Sequence, residues 1–558
     1  MVASRRARPA TRSILFPGFS GGLGARVHDP KQATYAWGQN CITRFGVLSN
    51  GLAEVADLTG IAAGYQVVKQ IKHNGASGDF NVRITYNGTN SRMYYQATVG
   101  ANWTLRDTSV GNNRCYDVIS FHDGTNRILA WCFGAGEALR YSLDDGATWT
   151  VSTLGSAGGA RNPRLFLNQQ NNLSGPRVLL ATDPNALYFA SSLVNGSTVS
   201  VSSTIGDASA QEYWTSIIQD DLGVIYCGKR HILWAYANGP TVLIAGPYND
   251  PPAADTAPTG NLGHRLNFEN PQVMRNGVII YQVEGYDLIG VRHGEIHTQL
   301  APRWTPRLNG WVLPRLEFCI NAVLVVGDYL IVAVGSGDSA TTRSVVSAPG
   351  GSNLLQNTFV TTSELYVAQI VGDALVWHGS ELTCSFIVRY LWHDEDDGFV
   401  YAASAGTQLI NAQARRFYFF QTAPEVTLVS SNLQLNTTDP AILESAVIGG
   451  EDPFDLDRPL WIKCMTTGLT TLATLRVSHR FVPEHDASSA YVTWETYGSG
   501  ARALTGTAAP PYLASTVGRV QFRLTADATA TPDAFGILRS AELIVAPFSE
   551  SRLPVGAI

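Results

Sequence analysis

The chain has 558 residues, a formal net charge of −6 and only 15 % charged residues, with 53 glycines and 26 prolines. This length calls for more than one core, and the acidic balance excludes a broad basic surface for wholesale nucleic-acid binding. Sparse helix formers and abundant turn residues predict an all-β molecule of short strands.

The first segment, residues 1–51, reads as an extended N-terminal arm and lead segment. It opens with Arg5, Arg6, Arg8 and Arg12 and lacks the apolar stretch of a signal peptide. Within it, Gly18, Ser20 and Gly22 fit G-x-S-x-G, but a nucleophile elbow needs a strand before and a helix after. Proline-bounded sequence on one side and no helical pattern on the other favour a plain turn.

From residue 52 to 415 the sequence repeats. Apolar strands after tight turns centre on Ile84, Ile128, Val178, Ile225, Ile279, Ile331 and Val376, stepping by 44, 50, 47, 54, 52 and 45 residues. That is the period of a four-stranded propeller blade. A second landmark, an aromatic strand and turn leading into threonine, recurs at Thr104, Thr150, Thr198 and Thr241. "VVGD" ending at Asp328 and "IVGD" ending at Asp373 add a further pair. About seven blades are expected, and six or eight fit nearly the same spacing.

One turn of this series, "YSLDDGATWT" from Tyr141, fits S-x-D-x-G-x-T-W. It resembles the Asp-box of sialidases and other propellers. Its chemistry is conformational: Asp144 accepts N–H bonds within the turn and Gly146 allows a positive φ. Ser142 and Thr148 add hydroxyl bonds, while Trp149 anchors the hairpin. The family's enzymes would also bring several such boxes and an Arg-Ile-Pro, and neither occurs here.

No other cluster spells chemistry. His393 is followed by Asp394, Glu395, Asp396 and Asp397, and Glu451, Asp452, Asp455 and Asp457 form a second acidic run. Neither has the alternating ligands of a calcium loop, so both read as solvated turns. Histidines such as His231, His293 and His378 are scattered. Cysteines 41, 115, 132, 227, 319, 384 and 464 lack short spacing, so reduced thiols in a reducing compartment are expected. No catalytic, cofactor-binding or metal-binding residues are assigned, no cofactor is expected, and the reading is non-enzymatic. The most apolar run, from Phe318, is broken at Asn321 and Gly327. It is a hairpin, not a membrane span.

Residues 416–558 lose the period. "FYFFQ", "EVTLVSSNLQLN", "PLWIKCM", "TLRVSHRF", "AYVTWETYG", "RVQFRLTA" and "ILRSAELIVAPF" alternate as strands of a C-terminal β-sandwich with a short tail. Trp494 and Tyr497 are candidate aromatics for holding a sugar there.

Both ends of the chain resemble tailed-bacteriophage tail proteins. In the lead segment the resemblance rests on Gly21-Gly22, Asp29-Pro30, Asn40 and Gly46-Val47-Leu48. Near the C-terminus it rests on "RVQFRL" and "ILRSAEL". The family's arginine and proline after the G-V-L strand are replaced here by "SNGLAEV". The resemblance implies a virion protein of the tail hub, nozzle or tip, folded in the host cytoplasm. Its partners would be other tail proteins and copies of itself in a ring. A host-surface receptor or glycan, or phage DNA in the tail channel, would be further contacts. The alternatives are a sialidase-like glycosidase, with arginines and carboxylates converging at the propeller axis, and a non-catalytic glycan-binding protein.

Overall fold

The computed structural model describes residues 12–16, 21–23, 35–46, 48–109, 114–133, 139–152, 164–168, 177–182, 186–190, 193, 198–202, 205–206, 213–236, 241–249, 267–285, 287–300, 307–308, 311–312, 318–336, 362–395, 398–404, 414–419, 439–445, 456–467, 475–482, 492–497, 504–505, 519–526 and 537–548. The fold is all-β and contains a seven-bladed propeller.

Six blades are antiparallel sheets of four consecutive strands. Blade 1 runs Gln66–Gly75, Gly78–Tyr86, Ser91–Gln96, Thr104–Thr108. Blade 2 runs Cys115–His122, Arg127–Phe133, Arg140–Ser142, Thr150–Val151. Blades 3, 4, 5 and 6 begin at Arg164–Asn168, Trp214–Gln219, Gln272–Val273 and Phe318–Val326. Blade 7 is assembled differently. Val388–His393, Phe399–Ser404 and Ala414–Tyr418 are completed by Val55–Ala56 from before blade 1. The ring is closed by joining the two ends of the propeller segment.

Alternation explains why these strands stack. Inward side chains of each blade meet those of the next, and among the described residues a cluster of buried apolar side chains lies at each of the seven blade-to-blade seams. Burying both faces of every sheet in this way leaves only short edges in solvent. The first strands of successive blades lie side by side and define the axis.

Six of the seven landmark strands are the second strands of blades 1 to 6. Val376 is not the seventh: it lies on Ala374–Cys384, the fourth strand of blade 6. "VVGD" and "IVGD" are accordingly the two hairpin turns of one blade, at Asp328 and Asp373. "FYFFQ" begins on the third strand of blade 7, so the propeller extends past residue 415.

The C-terminal strands form two antiparallel sheets, and the lead segment joins both. Arg12–Phe16 pairs with Ile537–Phe548, beside Leu456–Thr467 and Leu504–Thr505. Trp37–Gln39 pairs with Ala441–Glu444, beside Arg519–Ala526, Leu475–Val482 and Val492–Tyr497. The lead segment thus contributes strands to these sheets, while residues 1–11, the basic start of the expected arm, lie outside the described residues. "EVTLVSSNLQLN" lies outside the described residues.

The lead segment also seals the outer strand of blade 6. Gly379 N donates to Tyr35 Oη at 2.7 Å and Leu52 N to Glu381 O at 2.8 Å. The two chains cross so closely that a Cβ on Gly379 would sit 2.8 Å from Gly38 Cα. Buried between them, Arg44 pairs with Glu381 at 3.0 Å and covers the Phe419 ring at 3.9 Å.

Candidate functional site: the axial cavity

The first strands of the blades are mostly apolar on their seam faces and carry polar or charged residues toward the axis. Together they line a cavity of about 450 Å³ to which all seven blades contribute. Its charged wall includes Lys69, Arg114, Arg164 and Arg389, with Asp117, Glu269 and Glu395. Arginines and carboxylates therefore do converge at the axis.

Most of these groups bridge neighbouring blades. Lys69 Nζ of blade 1 pairs with Asp117 of blade 2, whose other oxygen accepts Leu165 N of blade 3 at 3.0 Å. Arg164 donates to Tyr116 O at 2.7 Å and Thr215 O at 2.9 Å, spanning blades 2, 3 and 4. Its guanidinium lies 3.9 Å from Glu269 before blade 5. Arg389 of blade 7 donates to Asn321 of blade 6 at 2.9 Å. Tyr390 Oη donates to Gln70 O and accepts from Gln70 N, both at 3.0 Å, linking blade 7 to blade 1. A planar guanidinium suits such bridging because its donors reach two acceptors at fixed angles. The arrangement locks the inner ring and leaves a polar cavity of small-molecule size.

At one end the axis opens into a second cavity of about 530 Å³, walled by Lys69, Lys72, Ser120, Gln219, Asp220 and Asp221 among others. Asp394, expected in a solvated turn, is instead buried and paired with Lys72 at 3.0 Å. Asp396 and Asp397, like Glu451, Asp452 and Asp455, lie outside the described residues, while Asp457 falls on the strand Leu456–Thr467. Ser20 also lies outside them. Among the described residues no group of three His, Cys, Asp or Glu side chains is placed to hold a metal ion.

The Asp-box occupies the turn between the third and fourth strands of blade 2, away from the axis. Asp144 Oδ1 accepts Ser142 Oγ–H and Thr148 N–H, each at 2.8 Å, and Oδ2 accepts Thr148 Oγ1–H at 2.6 Å. Gly146 N donates to Ser142 Oγ at 2.8 Å, with φ at 81°. Trp149 packs 5.6 Å from Trp131 in the seam between blades 1 and 2. Burial pushes the Asp144 carboxyl upward, but the Thr148 and Ser142 hydrogen bonds overcome it and hold it below the usual range.

The residue beside it in that turn, Asp145, escaped the motif reading. It reaches across the seam to accept Ala76 N at 2.9 Å and Ser77 N at 3.0 Å, and it contacts His73 Nε2 at 3.2 Å. His73 and Asp145 are 72 residues apart, and only an aligned blade register would have brought them together.

No family model matches the chain, and no curated protein matches it. Among solved structures, YCF48 from Cyanidioschyzon merolae is similar at 11 % identity and a TM-score of 0.41, over 66 % of this chain and 98 % of that one. BBS1N, solved in complex with ARL6DN, is similar at 11 % identity and a TM-score of 0.36, over 67 % of this chain and 98 % of that one. The extracellular domain of the putative hybrid two component system BT4673 from B. thetaiotaomicron is similar at 8 % identity and a TM-score of 0.41, over 88 % of this chain and 63 % of that one. The propeller assignment rests on strand order, the shared seventh blade and the closed ring of seams.

Proposed function

We propose that this chain is a structural virion protein of a tailed bacteriophage, a component of the tail hub, nozzle or tip. It assembles with copies of itself and with other tail proteins, for tail formation and for host attachment or DNA passage. The observation that carries this reading is where the two ends of the chain lie. The segments that resemble tail proteins, far apart in sequence, meet in the C-terminal sheets. Within the resembling segments, Trp37–Gln39 and the "RVQFRL" strand flank Ala441–Glu444 in one sheet, and in the other the "ILRSAEL" strand pairs with Arg12–Phe16, which lies just before the resembling lead residues. A module built from the lead segment and the C-terminal strands and sealed onto blade 6 suits a protein held in an assembly.

Cys41, Cys115, Cys132, Cys227 and Cys384 are buried free thiols, which fits folding in a reducing host cytoplasm. Among the described residues no helix is long and apolar enough to cross a membrane. The test is cryo-electron microscopy and peptide mass spectrometry of purified particles. Density for a seven-bladed ring within the tail supports the reading, and absence of the chain from particles overturns it.

A second reading is favoured by one observation, the arginines and carboxylates at the axis. It is a glycan site, hydrolytic or binding only. Sugar release from a glycan panel identifies the first form, and array binding without release the second. Loss of either activity in Arg114→Ala would place it at the axis.

A further inference from the structure

The Asp-box turn and the second axial cavity are joined by a chain of hydrogen bonds that neither the turn nor the ring requires. Asp145 is already fixed by the N–H groups of Ala76 and Ser77. His73, only 1 % exposed, lies beyond it near the end of the first strand of blade 1. Its Nε2 is 3.2 Å from Asp145 Oδ1, and its Nδ1 is 2.8 Å from Ser120 Oγ on the first strand of blade 2. Ser120 is partly exposed and stands on the wall of the 530 Å³ cavity.

The protonation states follow from the surroundings. Burial raises the Asp145 carboxyl, but the backbone N–H groups of Ser77 and Ala76, with the Ser77 and His73 side chains, outweigh it and keep the group ionised. Burial lowers the His73 imidazole below its ordinary value, opposed by Asp145 and by Asp79 and reinforced by Arg127. A neutral ring beside a carboxylate donates from Nε2, so Nδ1 accepts the Ser120 hydroxyl proton. The ring edge is held against Phe80 at 4.9 Å between centroids, which fixes its orientation.

We propose that Ser120 is a nucleophile toward small esters that enter the cavity at the end of the axis, with His73 as its general base and Asp145 as the positioning residue. This goes beyond the virion reading and does not depend on it. Ser120 Oγ adds to the ester carbonyl carbon as its proton passes to His73 Nδ1. The adduct expels the alcohol, which takes that proton, and an O-acyl serine remains. Water, deprotonated by the same ring, then releases the acid and restores Ser120. The logic is that of a serine, a base and an orienting carboxylate, here with the two ring nitrogens in exchanged roles.

The experiment treats the intact protein with p-nitrophenyl acetate and with a fluorophosphonate reagent, and maps the adduct by peptide mass spectrometry. A single adduct at Ser120, abolished in Ser120→Ala, is expected. The rate should fall about 10²-fold or more in His73→Gln, the contribution of a positioned base. Asp145→Asn should displace the pH profile, which loss of packing alone would not do. If His73→Gln fails to fold, the wild-type profile decides. A rate rising through one ionisation below the ordinary histidine value supports the proposal, and a rate rising only in proportion to hydroxide overturns it. Labelling at other serines, none at all, or a rate unchanged in His73→Gln also overturns it. Absence of the chain from particles would refute the tail reading and leave this result standing.

Discussion

Two of the seven seams do the same task with opposite materials. Between blades 5 and 6, thirteen buried apolar residues meet among the described residues, including Ile280, Leu330, Val332 and Tyr366. Between blades 7 and 1 the buried apolar set among the described residues is four, Val67, Tyr390, Ala403 and Ala414. The closing seam compensates with an oriented polar network. Arg83 donates to Gln70 Oε1 at 2.9 Å, Asp57 O at 2.7 Å and Asp57 Oδ2 at 2.6 Å, while stacking 4.0 Å from the Trp103 centroid. Glu54 and Asp57 are further paired with Arg415 and Arg416 at 3.2 and 3.4 Å. An apolar seam forms between sheets adjacent in sequence. The closing seam must bring Val55–Ala56 to Arg415 and Arg416 in one register, and directional bonds specify a register that apolar contact leaves loose.

The largest expected effect breaks this seam at its most buried charge. Arg83→Ala strips Asp57 Oδ2 of its fully buried partner, leaving the carboxylate with the longer Arg416 contact on Oδ1, and should cost about 3–5 kcal/mol, the usual penalty for stripping one member of a buried pair. Chemical denaturation measures it. Arg83→Met, which keeps the stem against Trp103, should cost less. Equal losses in both variants would mean that the charge and its hydrogen bonds, not stem packing, hold the closure. A loss below about 1 kcal/mol would remove the distinction between the seams.

The apolar seam is tested by Leu330→Ala. Leu330 is fully buried, and truncation leaves a cavity, so a loss of about 2–5 kcal/mol is expected, with its size set by how far the seam collapses. The two variants also differ in kind. Hydrogen exchange should speed up along Val55–Ala56 and the third strand of blade 7 in Arg83→Ala, and across blades 5 and 6 in Leu330→Ala.

The contrast also explains what could be read from sequence. Blades 1 to 4 were legible because each repeats apolar strand, turn and threonine at nearly one period, and blade 5 through its apolar strand at Ile279. Blade 6 misled because its two hairpins both end in a Gly-Asp turn, and Ile331 to Val376 spans 45 residues within one blade. That internal distance imitates a blade step. Blade 7 was hidden since its outer strand is two residues long and lies before blade 1. A two-residue strand carries no alternation to detect. At the site, the five Asp-box residues were visible as local spacing. Asp145, His73 and Ser120 were not, because their proximity depends on which strand faces which across a seam.

The junction of the lead segment with blade 6 falls between the two extremes and responds to pH. Burial pushes the Glu381 carboxyl up to about 7, against the opposing pull of Arg44. A carboxyl raised in the folded state binds its proton there more tightly than in the unfolded chain. Its contribution is therefore complete below the unfolded carboxyl value, ~4.3, and is lost as pH rises to about 7. Unfolding midpoints from pH 4.5 to 8 should show the junction weakening across that window. Glu381→Gln should flatten the dependence, and an unchanged slope in that variant would assign it to another group.

The smallest effect expected is at the Asp-box itself. Asp144 is exposed, and its bonds to Ser142 and Thr148 stay within one turn, so solvent replaces much of what is removed. Asp144→Ala should cost about 1 kcal/mol, the net value of such bonds at a surface. What remains is Trp149 against Trp131, an apolar anchor that belongs to the seam and does not need the carboxylate. Faster exchange confined to residues 142–150, with the seam between blades 1 and 2 unchanged, would show the turn to be a finish on a hairpin that the seam already holds. Exchange spreading into Arg127–Phe133 would instead make the turn part of the seam and move blade 2 toward the polar kind of interface that closes the ring.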